Sequence, residues 1–110
     1  MTGKFVKAAI RHYPSTLGHR ILAATDYYTA QRIVDEFSEV TGHKAEVAQI
    51  SAEAFKAFFP EQMAEEMYEN MMLLVDPGYY GGQSLGPSLA LLDERPTGWR
   101  EFVERNKAMW

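Results

Sequence analysis

A chain of 110 residues without cysteine has room for one modest core, burying roughly 65% of the surface it exposes when unfolded, and excludes a disulfide scaffold or a thiolate metal site. The formal charge of −4 comes without a basic stripe, which removes the electrostatic drive for direct nucleic-acid binding. No apolar run approaches the roughly 18 residues of a membrane span and no basic-then-apolar leader opens the chain, so a membrane is not expected as a partner and the cytoplasm, or also the nucleus, is the expected compartment.

In chain order, Gly3 to Arg11 is predicted as a short helix with Phe5, Val6, Ala9 and Ile10 apolar. Tyr13-Pro14 ends it, because the residue before proline is driven from the α region. Pro14 to Gly18 follows as a loop. Ile21-Leu22-Ala23-Ala24-Thr25 and Glu46-Val47-Ala48-Gln49-Ile50 are too short and too apolar to be solvated helices, and both are predicted as strands. Between them Ala30, Ile33, Val34, Phe37 and Val40 recur at spacings of three and four, with Thr29 as N-cap and Gly42 as the residue that closes the helix. This reads as a βαβ unit. The expected fold class is therefore α/β, or α+β, with a two-stranded parallel unit surrounded by helices and the stripe Ile33, Val34, Phe37 facing the strands.

Ser51 is the predicted cap of a short helix carrying Phe55, Phe58 and Phe59. A longer helix from Pro60 to Val75 places Met63, Met67, Met71 and Leu74 on one stripe, read first as core and second as a peptide groove. Glu61, Glu65, Glu66 and Glu69 fall on its other faces as a solvated surface, with Asn70 exposed or bonding across an interface. Asp76-Pro77-Gly78 stops this helix, and Tyr79 to Gly86 is a glycine-rich aromatic loop. A final helix from Gly98 to about Lys107, capped by Thr97, packs through Trp99, Phe102 and Val103.

The predicted first strand leads into Asp26-Tyr27-Tyr28-Thr29, a link without glycine whose bulky side chains obstruct the close backbone approach a dinucleotide pyrophosphate requires. Asp26, Tyr27 and Tyr28 stand where the strand ends, the edge at which parallel sheets bind ligands, and are candidate pocket residues. The competing reading makes Asp26 a helix-entry cap and the tyrosines packing. Tyr79 and Tyr80 are candidates for a small-molecule cleft or lid, or for a turn that covers the end of the methionine helix. His12, His19 and His43 lack the spacing of a helical metal pair, so no metal is expected. No nucleophile elbow, phosphate loop or zinc-protease motif appears, and no catalytic residue is assigned.

Five blocks carry a resemblance: Thr2-Gly3-Lys4-Phe5-Val6, Phe37 to Gly42, Glu66 to Met71, Gly78-Tyr79-Tyr80-Gly81 and Pro96 to Val103. In order and spacing they resemble the C-terminal part of NmrA-like proteins, atypical members of the short-chain dehydrogenase/reductase superfamily. The resemblance implies an N-terminal Rossmann half with a Gly-x-x-Gly-x-x-Gly turn before everything read here, with Met1 standing where the family's first block has an acidic residue. Residues 1–110 are accordingly expected to be one C-terminal subdomain, a fragment, truncated product or remnant without a complete NAD(P)-binding domain. NAD(P) is implied for full-length relatives and no cofactor for this chain alone. The superfamily's proton-donating tyrosine has a lysine four positions later, and none of the six tyrosines here is followed by one.

The expected function is thus a binding or regulatory role without turnover. The alternative is the substrate-pocket part of an NAD(P)-dependent oxidoreductase whose Rossmann half lies elsewhere, and a cofactor-independent isomerase has no motif in its favour. A subdomain shaped to lie against a Rossmann half would leave Phe5, Val6, Phe58, Phe59, Met63, Met67 and Met71 uncovered. Self-association or a protein partner at those residues is expected, with a small-molecule ligand as a further possibility.

Overall fold

A computed structural model describes residues 1–110. Its elements are helical: α1 (Thr2–Arg11), α2 (Ala30–Thr41), α3 (Ala52–Lys56), α4 (Glu61–Val75), α5 (Gly86–Leu89) and α6 (Trp99–Arg105), then a 3₁₀ turn over Lys107–Met109. Contacts divide the chain into two compact units, one made of Met1–Val47 with Ser84–Trp110 and the other of Ala48–Gln83.

The predicted βαβ unit is absent, and with it the α/β class: neither apolar run forms a strand. The reason lies in where the backbone groups go. The Leu22 N–H donates to Oγ of buried Ser88 at 2.8 Å, and the Ala24 N–H turns back to the Leu22 carbonyl at 3.0 Å. Leu22 enters the core as one buried side chain of an irregular segment. Glu46 to Ile50 crosses the boundary between the units and stays open to water, with Val47 and Ile50 about half exposed. Two short runs with no third strand to join cannot sustain a sheet on their own.

The buried residues of the first unit come from four stretches of the chain: Phe5 and Ala8 of α1, Leu22, Leu85 and Ser88 at α5, and Val103 of α6. Phe5 and Ala8 lie three apart on one face of α1, while Val6 and Ile10 face water. α1 ends before Tyr13-Pro14 as the proline rule requires, and Arg11 in its last turn pairs with Asp93. α5 begins at the end of the predicted Tyr79 to Gly86 loop and runs into residues for which the sequence predicts no element. Its signal was Pro87, since proline suits a first helical turn.

α2 has the bounds its sequence announces. Thr29 Oγ1 accepts from the Arg32 N–H at 3.1 Å, a cap worth about 1 kcal/mol, and Gly42 closes the helix at φ 76°, the left-handed region glycine enters without strain. Its partner differs from the expected one. Ile33, Val34 and Phe37 have no sheet to face, and α2 packs against α6 and the chain end. The Trp99 indole N–H donates to the Ile33 carbonyl at 2.9 Å, Arg100 pairs with Glu39, and Phe37 meets Trp110 edge to face at 5.4 Å. α6 begins after Gly98, whose extended backbone replaces the Thr97 cap. Val103 is fully buried, whereas Phe102 is 44% exposed and stacks on Trp99 at 5.9 Å.

The second unit is a pair of helices. Ser51 Oγ caps α3 by accepting from the Ala54 N–H at 3.2 Å, as its position predicts. Phe55 meets Phe59 at 5.2 Å and Tyr68 of α4 at 6.4 Å, and Lys56 lies over the Tyr68 ring while pairing with Glu65. No residue of α4 is buried. The first reading of the methionine stripe, as core, is therefore corrected: two short helices offer too little surface to enclose a third apolar face.

Candidate functional site

At the head of α2 the chain turns through Asp26, Tyr27 and Tyr28 before the Thr29 cap, and Arg32 reaches back over this turn. Arg32 Nη1 donates to Asp26 Oδ2 at 2.7 Å and Nε to Glu36 Oε1 at 2.9 Å, while the guanidinium lies 4.3 Å from the centre of the Tyr28 ring. The Glu36 pair follows from helical spacing, one turn beyond Arg32, whereas the Asp26 pair depends on the turn that brings Asp26, three residues before the cap, back beside the first turn of α2. Asp26 Oδ1 also accepts from the Tyr27 N–H at 2.8 Å. The Arg32 hydrogen bond, helped by that backbone N–H, holds the Asp26 carboxyl below the usual carboxylate range. Asp26 and Glu36 in turn push the Arg32 guanidinium up, so it stays charged at every accessible pH.

Tyr28 extends from this cluster toward α6, where its hydroxyl accepts the Trp99 N–H at 3.2 Å. That bond satisfies one of the donors a helix start leaves free, and a Cβ on Gly98 would lie 3.4 Å from the same hydroxyl. Between α2 and the segment leading into α6 lies an open cleft of about 340 Å³. Asp26, Tyr28, Arg32, Glu94 and Arg95 give it its polar wall, and Leu89, Leu92 and Pro96 its apolar one. Lys4 of α1 holds the far rim by donating to the Arg95 carbonyl at 3.0 Å and pairing with Glu94 at 3.4 Å. Arg95 is exposed, and no ion pair engages its guanidinium.

Of the residues singled out from sequence, Asp26 and Tyr28 line this cleft; Tyr27 does not, and its backbone instead holds two of the lining residues, its N–H donating to Asp26 and its carbonyl accepting from Arg32 Nη1 at 3.4 Å. The sheet edge expected to support them does not exist; a capped helix start supports them instead. Tyr79 and Tyr80 belong to the other unit, where they meet edge to face at 4.8 Å and Tyr79 borders a separate groove. Arg32 and Arg95 were not found from sequence. Arg32 had a readable signal in its i,i+4 spacing to Glu36, whereas Arg95 reaches the cleft only through tertiary packing.

The residues named as interface are placed unevenly. Phe5 is buried, Phe59 and Met67 are half-buried, and Val6, Phe58, Met63 and Met71 are exposed, Phe58 to 74%. His12 approaches the Leu91 carbonyl at 3.1 Å, and no three His, Asp or Glu side chains form a group able to hold a metal. No helix is long and apolar enough to cross a membrane.

The head of α2 does not fit a dinucleotide pyrophosphate. Glycine is missing from the turn, and the Thr29 hydroxyl already takes the Arg32 N–H, one of the donors a helix start would otherwise offer to a phosphate. In comparisons with known proteins, the model of the NmrA-like family matches residues 2–103. No curated protein and no solved structure matches the chain.

Proposed function

The chain belongs to the NmrA-like family, and from that premise we propose that it is a binding and regulatory protein without turnover, using no cofactor of its own and taking a small anionic ligand in the cleft at the head of α2. The observation that carries this reading is the contrast between the two arginines. Arg32 is saturated by Asp26, Glu36 and the Tyr28 ring and serves to hold the wall, while Arg95 keeps its donor fork open at the same cleft. A guanidinium of this kind matches a carboxylate or phosphate with two parallel hydrogen bonds. The acid and base candidates are engaged structurally: Asp26 is ion-paired below the usual range, and Tyr28 holds the start of α6.

Titration calorimetry with a panel of small dicarboxylates and phosphate monoesters tests the reading. Saturable binding is expected, weakened about tenfold or more by Arg95→Ala, as for loss of a charge-assisted hydrogen bond. Binding indifferent to Arg95→Ala, or saturable micromolar binding of NADPH, overturns it. The second reading, a substrate pocket for an oxidoreductase, draws on the Tyr28 phenol lining the cleft. Its test is hydride transfer that Tyr28→Phe abolishes.

A further inference from the structure

The second unit has two properties that the cleft does not use. Its apolar surface is open: along the last two turns of α4, Met71, Met72, Leu73, Leu74 and Val75 are each at least 40% exposed, Val75 to 75%. Met71, Leu73 and Leu74 join Pro77 and Tyr79 in lining a groove of about 550 Å³. Its charge is also one-sided. Glu53, Glu61, Glu65, Glu66, Glu69 and Asp76 face Lys56 as the one basic residue, a formal −5 within Ala48–Gln83, so the rest of the chain carries +1 of the overall −4.

These two properties lie side by side. On a helix, residues four apart are surface neighbours, so Glu66 stands one turn before Asn70 and Glu69 one turn before Leu73, both groove residues. The groove therefore has an acidic margin. Lys56, the basic residue of the unit, is already held by Glu65 and Tyr68 and does not neutralise that margin. Methionine-rich surfaces adapt to many apolar shapes, and an exposed patch of this kind marks a contact site.

We propose that the α4 groove docks a basic amphipathic helix of another protein, its apolar face on Met71, Leu73, Leu74 and Tyr79 and its lysines or arginines toward Glu66 and Glu69. Charge selects this occupant. A second copy would set −5 against −5 within a Debye length of about 8 Å, and an anionic lipid surface would be repelled in the same way. A cationic helix gains from both features, the apolar face supplying affinity and the charges supplying steering and selectivity. The proposal is independent of the anionic ligand in the cleft.

The experiment uses the full chain and a fluorescein-labelled amphipathic peptide of leucine and lysine, with the matching leucine–glutamate peptide as control. Anisotropy should saturate at micromolar chain for the lysine peptide only, with affinity falling about tenfold or more between low and high salt. Leu74→Asp and the paired change Glu66→Lys with Glu69→Lys should each weaken binding about tenfold, the first through the apolar contact and the second through the charges. Both sites are exposed, and an unchanged far-ultraviolet dichroism spectrum verifies the fold of each variant. Arg95→Ala should leave peptide binding unchanged and so separates this surface from the cleft. Equal binding of the glutamate peptide, absence of saturation, a salt-insensitive isotherm, or a chain dimer in sedimentation that Leu74→Asp dissolves would overturn the proposal.

Discussion

At the scale of single residues, the Asp26–Arg32 pair couples the candidate cleft to pH. The folded chain lowers the Asp26 carboxyl through the Arg32 hydrogen bond, so the contribution of this pair to stability is present above the unfolded value of about 3.9 and is lost as pH falls through the lower folded value. Carboxyl-carbon NMR titration should therefore place the Asp26 midpoint below about 3.9, and Arg32→Gln should move it back toward that value. A midpoint unmoved by the substitution would show that the backbone N–H of Tyr27, and not the guanidinium, holds the carboxylate. Thr29 acts at the same scale with a simpler ledger. Thr29→Ala removes the acceptor for the Arg32 N–H and should cost about 1 kcal/mol in chemical denaturation, whereas Thr29→Ser should cost much less.

At the scale of elements, α2 and α6 form the frame on which the cleft hangs. Val103 is fully enclosed, so Val103→Ala should destabilise the chain by about 2 kcal/mol, from the lost methyl burial and the void left behind. Phe37 is half-buried against Trp110, and its truncation should cost roughly 1–2 kcal/mol, below the 3–5 typical of a fully enclosed phenylalanine. If Phe37→Ala proves costlier than Val103→Ala, the Phe37–Trp110 contact and not the burial around Val103 dominates folding. The caps and stops of these helices were legible because they are local. Thr29, Gly42 and Ser51 act within one turn of their own position, and each performs the role its type predicts, whereas Pro60 stands just before α4 as its N-cap instead of in the first turn. The Thr97 cap failed for an equally local reason: the chain stays extended one residue longer, and the Tyr28 hydroxyl takes over the orphan N–H of Trp99.

At the scale of the whole molecule, buried residues are confined to the unit built from the two chain ends, and Ala48–Gln83 encloses none. Its thirty-six residues fall below the size at which a core alone usually sustains folding. A hydrophobic dye should therefore bind the native chain at the α4 surface, and Leu73→Lys should remove much of the fluorescence with little loss of stability, since Leu73 is 57% exposed. An unchanged dye signal would place the accessible apolar surface elsewhere.

The sequence by itself determined the bounds of α2, the Ser51 cap of α3, the separation of the acidic from the methionine stripe and the family blocks, because each depends on side-chain type and on spacings within a few residues. Tertiary structure alone decided that Leu22 pairs with Ser88 instead of a strand, that α2 rests on α6 and that Arg95 meets Tyr28 and Asp26 at one cleft. The physical reason is common to all three. An apolar run of five residues requires burial but does not name its partner, and contacts between residues sixty or more positions apart depend on which surfaces remain available once the helices have formed.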